Sequence, residues 1–125
     1  MRAGKPTVYV NSCSNFDNAQ LALQMESLTK ALGQVMHISA WRTTQLVDDH
    51  RTGLPTYLVA KENKGGDGFA NIAQSMSGLY ADGMALTNSV IGYGVPTSIG
   101  IEETFSNLNA TADRLSKMAD VGYEI

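Results

Sequence analysis

Residues 17–43 read DNAQLALQMESLTKALGQVMHISAWRT, and the fold turns on where this stretch stops being a helix. Asp17 is a helix N-cap type, and Gln20 three residues on completes a capping-box pattern. Phe16 before the cap and Leu21 after it have the spacing of a hydrophobic staple. Leu21, Met25, Leu28 and Leu32 recur at i, i+4, i+7 and i+11, one apolar stripe. Gly33 is then a natural C-terminal stop. Beyond it the period changes. Met36, Ile38 and Ala40 alternate with His37, Ser39 and Trp41, so Val35 to Thr43 is expected to be a strand.

Working outward, Thr7 to Cys13 alternates Val8 and Val10 with Thr7, Tyr9 and Asn11 and reads as a first strand after Pro6. Asp48 to Gly53 is a polar connection, and Pro55 to Lys61 reads as a third strand. Glu62 to Gly68, ENKGGDG, is a flexible loop. Asp67 is placed to cap a second helix carrying Phe69, Ile72, Met76, Leu79, Gly83 and Leu86. Val90 to Val95 is a short fourth strand weakened by Gly92 and Gly94. Ser98 caps a third helix with a seam of Ile101, Phe105, Leu108, Ala112, Leu115 and Ala119, and Val121 to Ile125 is an edge strand or a frayed tail. The order spells an α+β fold, a ferredoxin-like β-α-β-β-α-β sandwich with an extra C-terminal helix. A three-layer α/β domain is the alternative.

The chain has 125 residues, 43% hydrophobic and 17% charged, which fits one domain over residues 1–125. A net charge of −3 gives no surface field favouring nucleic acid. No apolar run approaches the ~18 residues of a membrane span. Met1 to Pro6 carries two positive charges with no apolar core behind it, unlike a signal peptide. The single cysteine, Cys13, excludes an intrachain disulfide and a multi-cysteine zinc site and points to a reducing, cytoplasmic setting. With only His37 and His50, a histidine-rich metal site is excluded, and the sequence names no cofactor.

Several clusters carry candidate chemistry. Asn11, Ser12, Cys13, Ser14 and Asn15 fall between a strand and a helix N-terminus, where free N–H groups favour anions. The same residues are also ordinary turn formers. Lys61, Lys64, Gly65 and Gly66 sit in a loop able to wrap a phosphate, although neither a Walker loop nor G-x-G-x-x-G is present and Asp67 opposes an anion. Asp48, Asp49, His50 and Arg51 offer an acid–base or metal constellation or simply a solvated turn. Glu102 and Glu103 suit the first turn of a helix. Trp41 is either core or a half-exposed stacking surface.

Tyr9 and Tyr57, placed on central strands of that sheet, resemble the stacking platform of RNA-recognition domains. The resemblance covers VYVN and the topology; RTGLPTYLV lacks the basic-Gly-aromatic pattern of the third strand, and the acidic charge argues against RNA.

The leading expectation is a homo-oligomer binding an anionic or nucleotide-like small molecule. Its cleft would be bordered by the first turn, with Tyr9, Asn11, Ser12 and Ser14, and by the loop between the second and third strands, with Lys61, Lys64, Gly65 and Gly66 as further ligand contacts. That topology resembles nitrogen-regulator-like trimers, at the level of fold only. The alternatives are a non-catalytic interaction, inhibitor or assembly module, and a small lyase or hydrolase acting on a nucleotide-like substrate through Tyr57, His50, Asp49 or Glu102.

Overall fold

Gly33 does not end the first helix. In the computed structural model, which describes residues 18–63, 65–95 and 106–125, α1 runs unbroken from Ala19 to Leu46. Its 28 residues span about 42 Å. A glycine inside a helix costs about 1 kcal/mol relative to alanine, and here close packing explains it. A Cβ on Gly33 would lie 2.8 Å from the Thr87 methyl and 3.7 Å from that of Met118. The glycine is the point where two other helices approach α1.

After α1, Asp48 caps a single helical turn, α2 (Asp49–Thr52), by accepting a 3.0 Å hydrogen bond from the His50 N–H, and Gly53 closes it at φ +68°. A short 3-10 turn follows at Thr56–Leu58. The chain then passes through turns to α3 (Ile72–Leu86) and, later, α4 (Leu108–Glu124). The three long helices pack on one another pairwise. Among the described residues there is no strand.

The shared core is small and rich in methionine. Met36 of α1, Met76 of α3 and Met118 of α4 are buried, together with Ala22 and Val47. Flexible thioether side chains fill the irregular space left where glycines let backbones approach. Gly83 of α3 faces Met36, whose terminal methyl occupies the place of a Cβ, and Gly122 of α4 packs on the same side chain. Two buried threonines of this layer are satisfied within their own helices or caps. Thr29 Oγ1 donates to the Met25 carbonyl at 2.9 Å, and Thr111 Oγ1 donates to the Asn107 carbonyl at 3.2 Å.

Arg114 of α4 ties the C-terminus of α3. Its Nη1 donates to the carbonyls of Ala85 (3.2 Å), Leu86 (3.4 Å) and Asn88 (3.2 Å). A cation on the last carbonyls of a helix satisfies orphan acceptors and opposes the negative end of the dipole.

The expected α+β sandwich is therefore wrong, as is the three-layer α/β alternative. Val35 to Thr43 is helix, not strand. Val35, Ile38, Thr43 and Thr44 favour strand locally, but burial of Met36 and Val47 against the bundle carries the helix through them. Pro55 to Lys61 is a 3-10 turn and coil, in which Tyr57 and Leu58 take left-handed φ of 53° and 57°. That backbone cannot pair as a strand. Tyr57 N–H donates to the Val47 carbonyl, and the Tyr57 carbonyl accepts from Phe69 N–H, both at 3.0 Å. Val90 to Val95 forms turns, and Val121 to Glu124 belongs to α4. The expected first strand, Thr7 to Cys13, and the Ser98 cap lie outside the described residues.

Candidate functional site

Among the described residues, chemistry-bearing side chains gather at two places on this bundle. The first is a groove of about 200 Å³ between α1 and α3. His37, Trp41 and Thr44 line it from α1 at i, i+4 and i+7. Ala73, Ser77 and Tyr80 repeat that spacing from α3, with Met76 at the floor. His37 Nδ1 and the Tyr80 hydroxyl are 2.8 Å apart, and the rings lie 5.3 Å between centroids at 52°. With a neutral imidazole protonated at Nε2, the phenol donates to Nδ1 and the Nε2–H stays available to a further acceptor. Trp41, 55% exposed, forms the apolar wall beside them.

The second is a clamp built on Glu26. This carboxylate is 9% exposed, yet it is fully engaged. The Ser89 hydroxyl donates to both of its oxygens at 2.8 Å. The amides of Val90 and Ile91 donate to Oε1 at 2.8 and 3.2 Å, and Lys30 Nζ stands 4.0 Å from Oε2. Burial opposes ionisation, but the hydroxyl, the two amides and the ammonium together outweigh it and hold the Glu26 pKa below the usual carboxylate range. Asn107 Nδ2 donates to the Val90 carbonyl at 3.3 Å. The turn after α3 is thus gripped from α1 on one side and from the start of α4 on the other.

The residues singled out from sequence fare differently. Tyr9, Asn11, Ser12, Cys13, Ser14, Lys64, Glu102 and Glu103 lie outside the described residues. Asp48 and Asp49 form the capped turn of α2. Asp49 Oδ2 accepts from Thr56 Oγ1 at 2.8 Å, which lowers its pKa against a smaller opposing effect of desolvation, with help from His50. His50 is exposed, 3.8 Å from Asp49, and Arg51 pairs with Asp48 at 3.4 Å. Among the described residues no group of three or more His, Cys, Asp or Glu side chains is arranged to hold a metal ion.

Lys61, Gly65 and Gly66 sit in a chain of turns with no strand before them. The Gly66 N–H is already donated to the Asn63 carbonyl at 3.0 Å, so the expected phosphate-wrapping loop has spent that amide. Tyr57 is 44% exposed and stands on no sheet face. The groove and the clamp escaped the sequence reading because a strand at Val35–Thr43 puts His37 and Trp41 on one sheet face and gives neither them nor Glu26 a helix to set against α3 and the turn after it. The i, i+4, i+7 match of His37, Trp41 and Thr44 with Ala73, Ser77 and Tyr80 was the signal available.

Comparison with known proteins gives a consistent result. The aromatic amino acid lyase family model matches residues 4–125. A histidine ammonia-lyase of Desulfotalea psychrophila is 31% identical over 111 residues, covering 87% of this chain and 21% of that protein. A histidine ammonia-lyase of Photorhabdus laumondii subsp. laumondii is also 31% identical, over 112 residues, 89% of this chain and 21% of its own length. The chain spans about one fifth of the length of the curated relatives it matches. These matches overturn the expectation of a non-catalytic, ferredoxin-like ligand-binding module and favour the lyase alternative over it. No helix among the described residues is long and apolar enough to cross a membrane. With a family model matched over nearly its whole length and an all-helical bundle among its described residues, the chain belongs to the aromatic amino acid lyase family.

Proposed function

We propose that this chain is a helical portion of an ammonia-lyase that acts on histidine or a related aromatic amino acid. The observation that carries the reading is the family match over residues 4–125, joined by two relatives that are both histidine ammonia-lyases. In such a reaction the Cα–N bond breaks, a proton leaves Cβ, and a double bond forms between Cα and Cβ. The products are ammonia and an α,β-unsaturated acid conjugated with the aromatic ring.

The part proposed for this chain is structural support. An elimination needs its groups held rigidly, and a 28-residue helix fixed to two others supplies a stiff frame. The Glu26 clamp sets the path of the chain as it leaves α3. The cytoplasmic setting inferred from the single cysteine is retained as part of this proposal; recovery of the protein from a secreted fraction of its host contradicts that part.

The test is direct. Protein expressed from its full reading frame is incubated with histidine, phenylalanine and tyrosine, and ammonia is measured together with the near-ultraviolet absorbance of a conjugated product. Histidine is expected to give both signals in equal molar amounts. Absence of ammonia from all three amino acids refutes the reading.

A further inference from the structure

Two alanines open the groove between α1 and α3. Ala40 and Ala73 line it with single methyl groups, one from each helix, over a floor formed by Met76, which is 6% exposed. Trp41 stands at one side with 55% of its surface exposed, although tryptophan is among the more buried residue types on average. His37 and Tyr80 join the two helices at the same groove, 2.8 Å apart. Among the described residues, no Lys, Arg, Asp or Glu side chain lines it. An ion placed there would lose hydration with no opposite charge to replace it. The groove therefore selects an uncharged occupant.

We propose that this groove binds a small, uncharged, planar heteroaromatic molecule carrying both a ring acceptor and an N–H donor, the chemistry of a neutral azole. Its size sets the first limit. About 200 Å³ is below the roughly 300–1,000 Å³ of pockets for drug-sized ligands, so one ring with a short substituent fills it. Trp41 sets the second. A flat aromatic ring laid beside an exposed indole gains more than its buried area alone supplies.

The hydrogen-bonding groups set the third. A ligand acceptor at His37 selects the tautomer with its proton on Nε2, and the Tyr80 hydroxyl then donates to Nδ1 and holds the imidazole in place. Thr44 Oγ1 donates its proton to the Trp41 carbonyl at 2.8 Å, so toward a ligand it can only accept. One donor and one acceptor thus line the same slot. A hydrocarbon leaves both unmet. A carboxylate meets His37 but brings a charge that no cation lining the groove answers. A neutral azole satisfies the two together with its ring nitrogen and its N–H.

Trp41 is the single tryptophan of the chain, so its fluorescence reports on this groove. Pyrazole, uncharged in mildly alkaline buffer and transparent where indole absorbs, is the probe. Titrated into the full chain, it is expected to shift Trp41 emission to shorter wavelength and to saturate with a Kd on the order of a millimolar. N-methylpyrazole keeps the acceptor but has no N–H, and is expected to bind about fivefold more weakly. His37→Ala is expected to weaken pyrazole about tenfold, and Tyr80→Phe, which frees the imidazole, about threefold. Ala73→Leu fills the groove and is expected to abolish saturation with helical circular dichroism unchanged. No turnover enters these measurements, so their outcome is separate from that of the lyase reading. A response that stays linear up to roughly 100 mM pyrazole overturns the proposal. So does equal affinity for the two probes, or a saturable response that either His37→Ala or Ala73→Leu leaves unchanged.

Discussion

Glu26 and Val90 are joined by a 2.8 Å hydrogen bond from the Val90 amide to the Glu26 carboxylate, across 64 positions of sequence. With the Ser89 hydroxyl and the Ile91 amide, this bond fixes the exit from α3 to the N-terminal third of α1. The acceptor is a buried charge, and a charged acceptor is worth more than a neutral one.

Glu26→Ala leaves one hydroxyl and two amides facing a void. It is expected to cost about 3 kcal/mol of unfolding free energy, the scale of hydrogen bonds to a buried charge. Glu26→Gln keeps one carbonyl oxygen for the amides and is expected to cost roughly half as much. Urea denaturation followed by circular dichroism reads both. An Ala variant within 0.5 kcal/mol of wild type, roughly the spread of an ordinary surface change, shows the clamp to be dispensable.

The same carboxylate gives the fold an acid sensitivity with a definite sign. Its pKa is depressed in the folded chain below the ordinary value near 4.5, so the unfolded state binds the proton more readily. Its contribution is complete above that ordinary value and is lost as pH falls through the folded value. The urea midpoint of the wild type is expected to fall below about pH 4.5. Asp49, also depressed, adds to this slope from the surface. The Glu26→Gln chain removes the Glu26 share, so its midpoint should fall less over the same range. Parallel wild-type and Gln curves rule out this origin.

Much of the helical content was legible in sequence. The apolar periodicity from Leu21 marks a real helix, that from Phe69 marks one that begins only at Ile72, with Asn71 and not Asp67 at its cap, and the seam through Leu108, Ala112, Leu115 and Ala119 lies in α4. The errors fell where local preference and packing disagree. Gly33 carries the letter of a helix stop, but its use is to admit Thr87. Val35, Ile38 and Thr43 carry the preferences of a strand, but they continue a helix whose buried neighbours are far away in sequence. The stripe through Leu28 is the apolar one by sequence, yet the buried face is the less apolar one beside it. The site fared worse, because His37 and Tyr80 are 43 residues apart and meet only once α1 is known to be continuous.

Glycines on these helices divide into two kinds, and substitution separates them. Gly78 has nothing within 4 Å of a built Cβ, so Gly78→Ala is expected to stabilise by about 0.5–1 kcal/mol through helix propensity alone. Gly33→Ala gains the same propensity but drives its methyl against Thr87, a side chain stiff at χ1. Overpacking of this kind costs about 1–3 kcal/mol, so the net is expected to be destabilising. Equal shifts of melting temperature for the two variants contradict the packing role of Gly33.

Arg114 allows a test of how α4 holds α3. Arg114→Ala removes three contacts to the carbonyls of Ala85, Leu86 and Asn88. Those groups are near the surface, so water replaces part of what is lost, and the expected cost is about 1–2 kcal/mol. Arg114→Lys keeps the charge near the helix end but cannot present a guanidinium fork, and it is expected to recover less than half of the difference. Hydrogen exchange distinguishes a local from a general effect. In the Ala variant, amides in the last turn of α3 should lose protection before those around Met36 in α1. Uniform loss across both helices instead assigns Arg114 to global stability and removes its role as a cap.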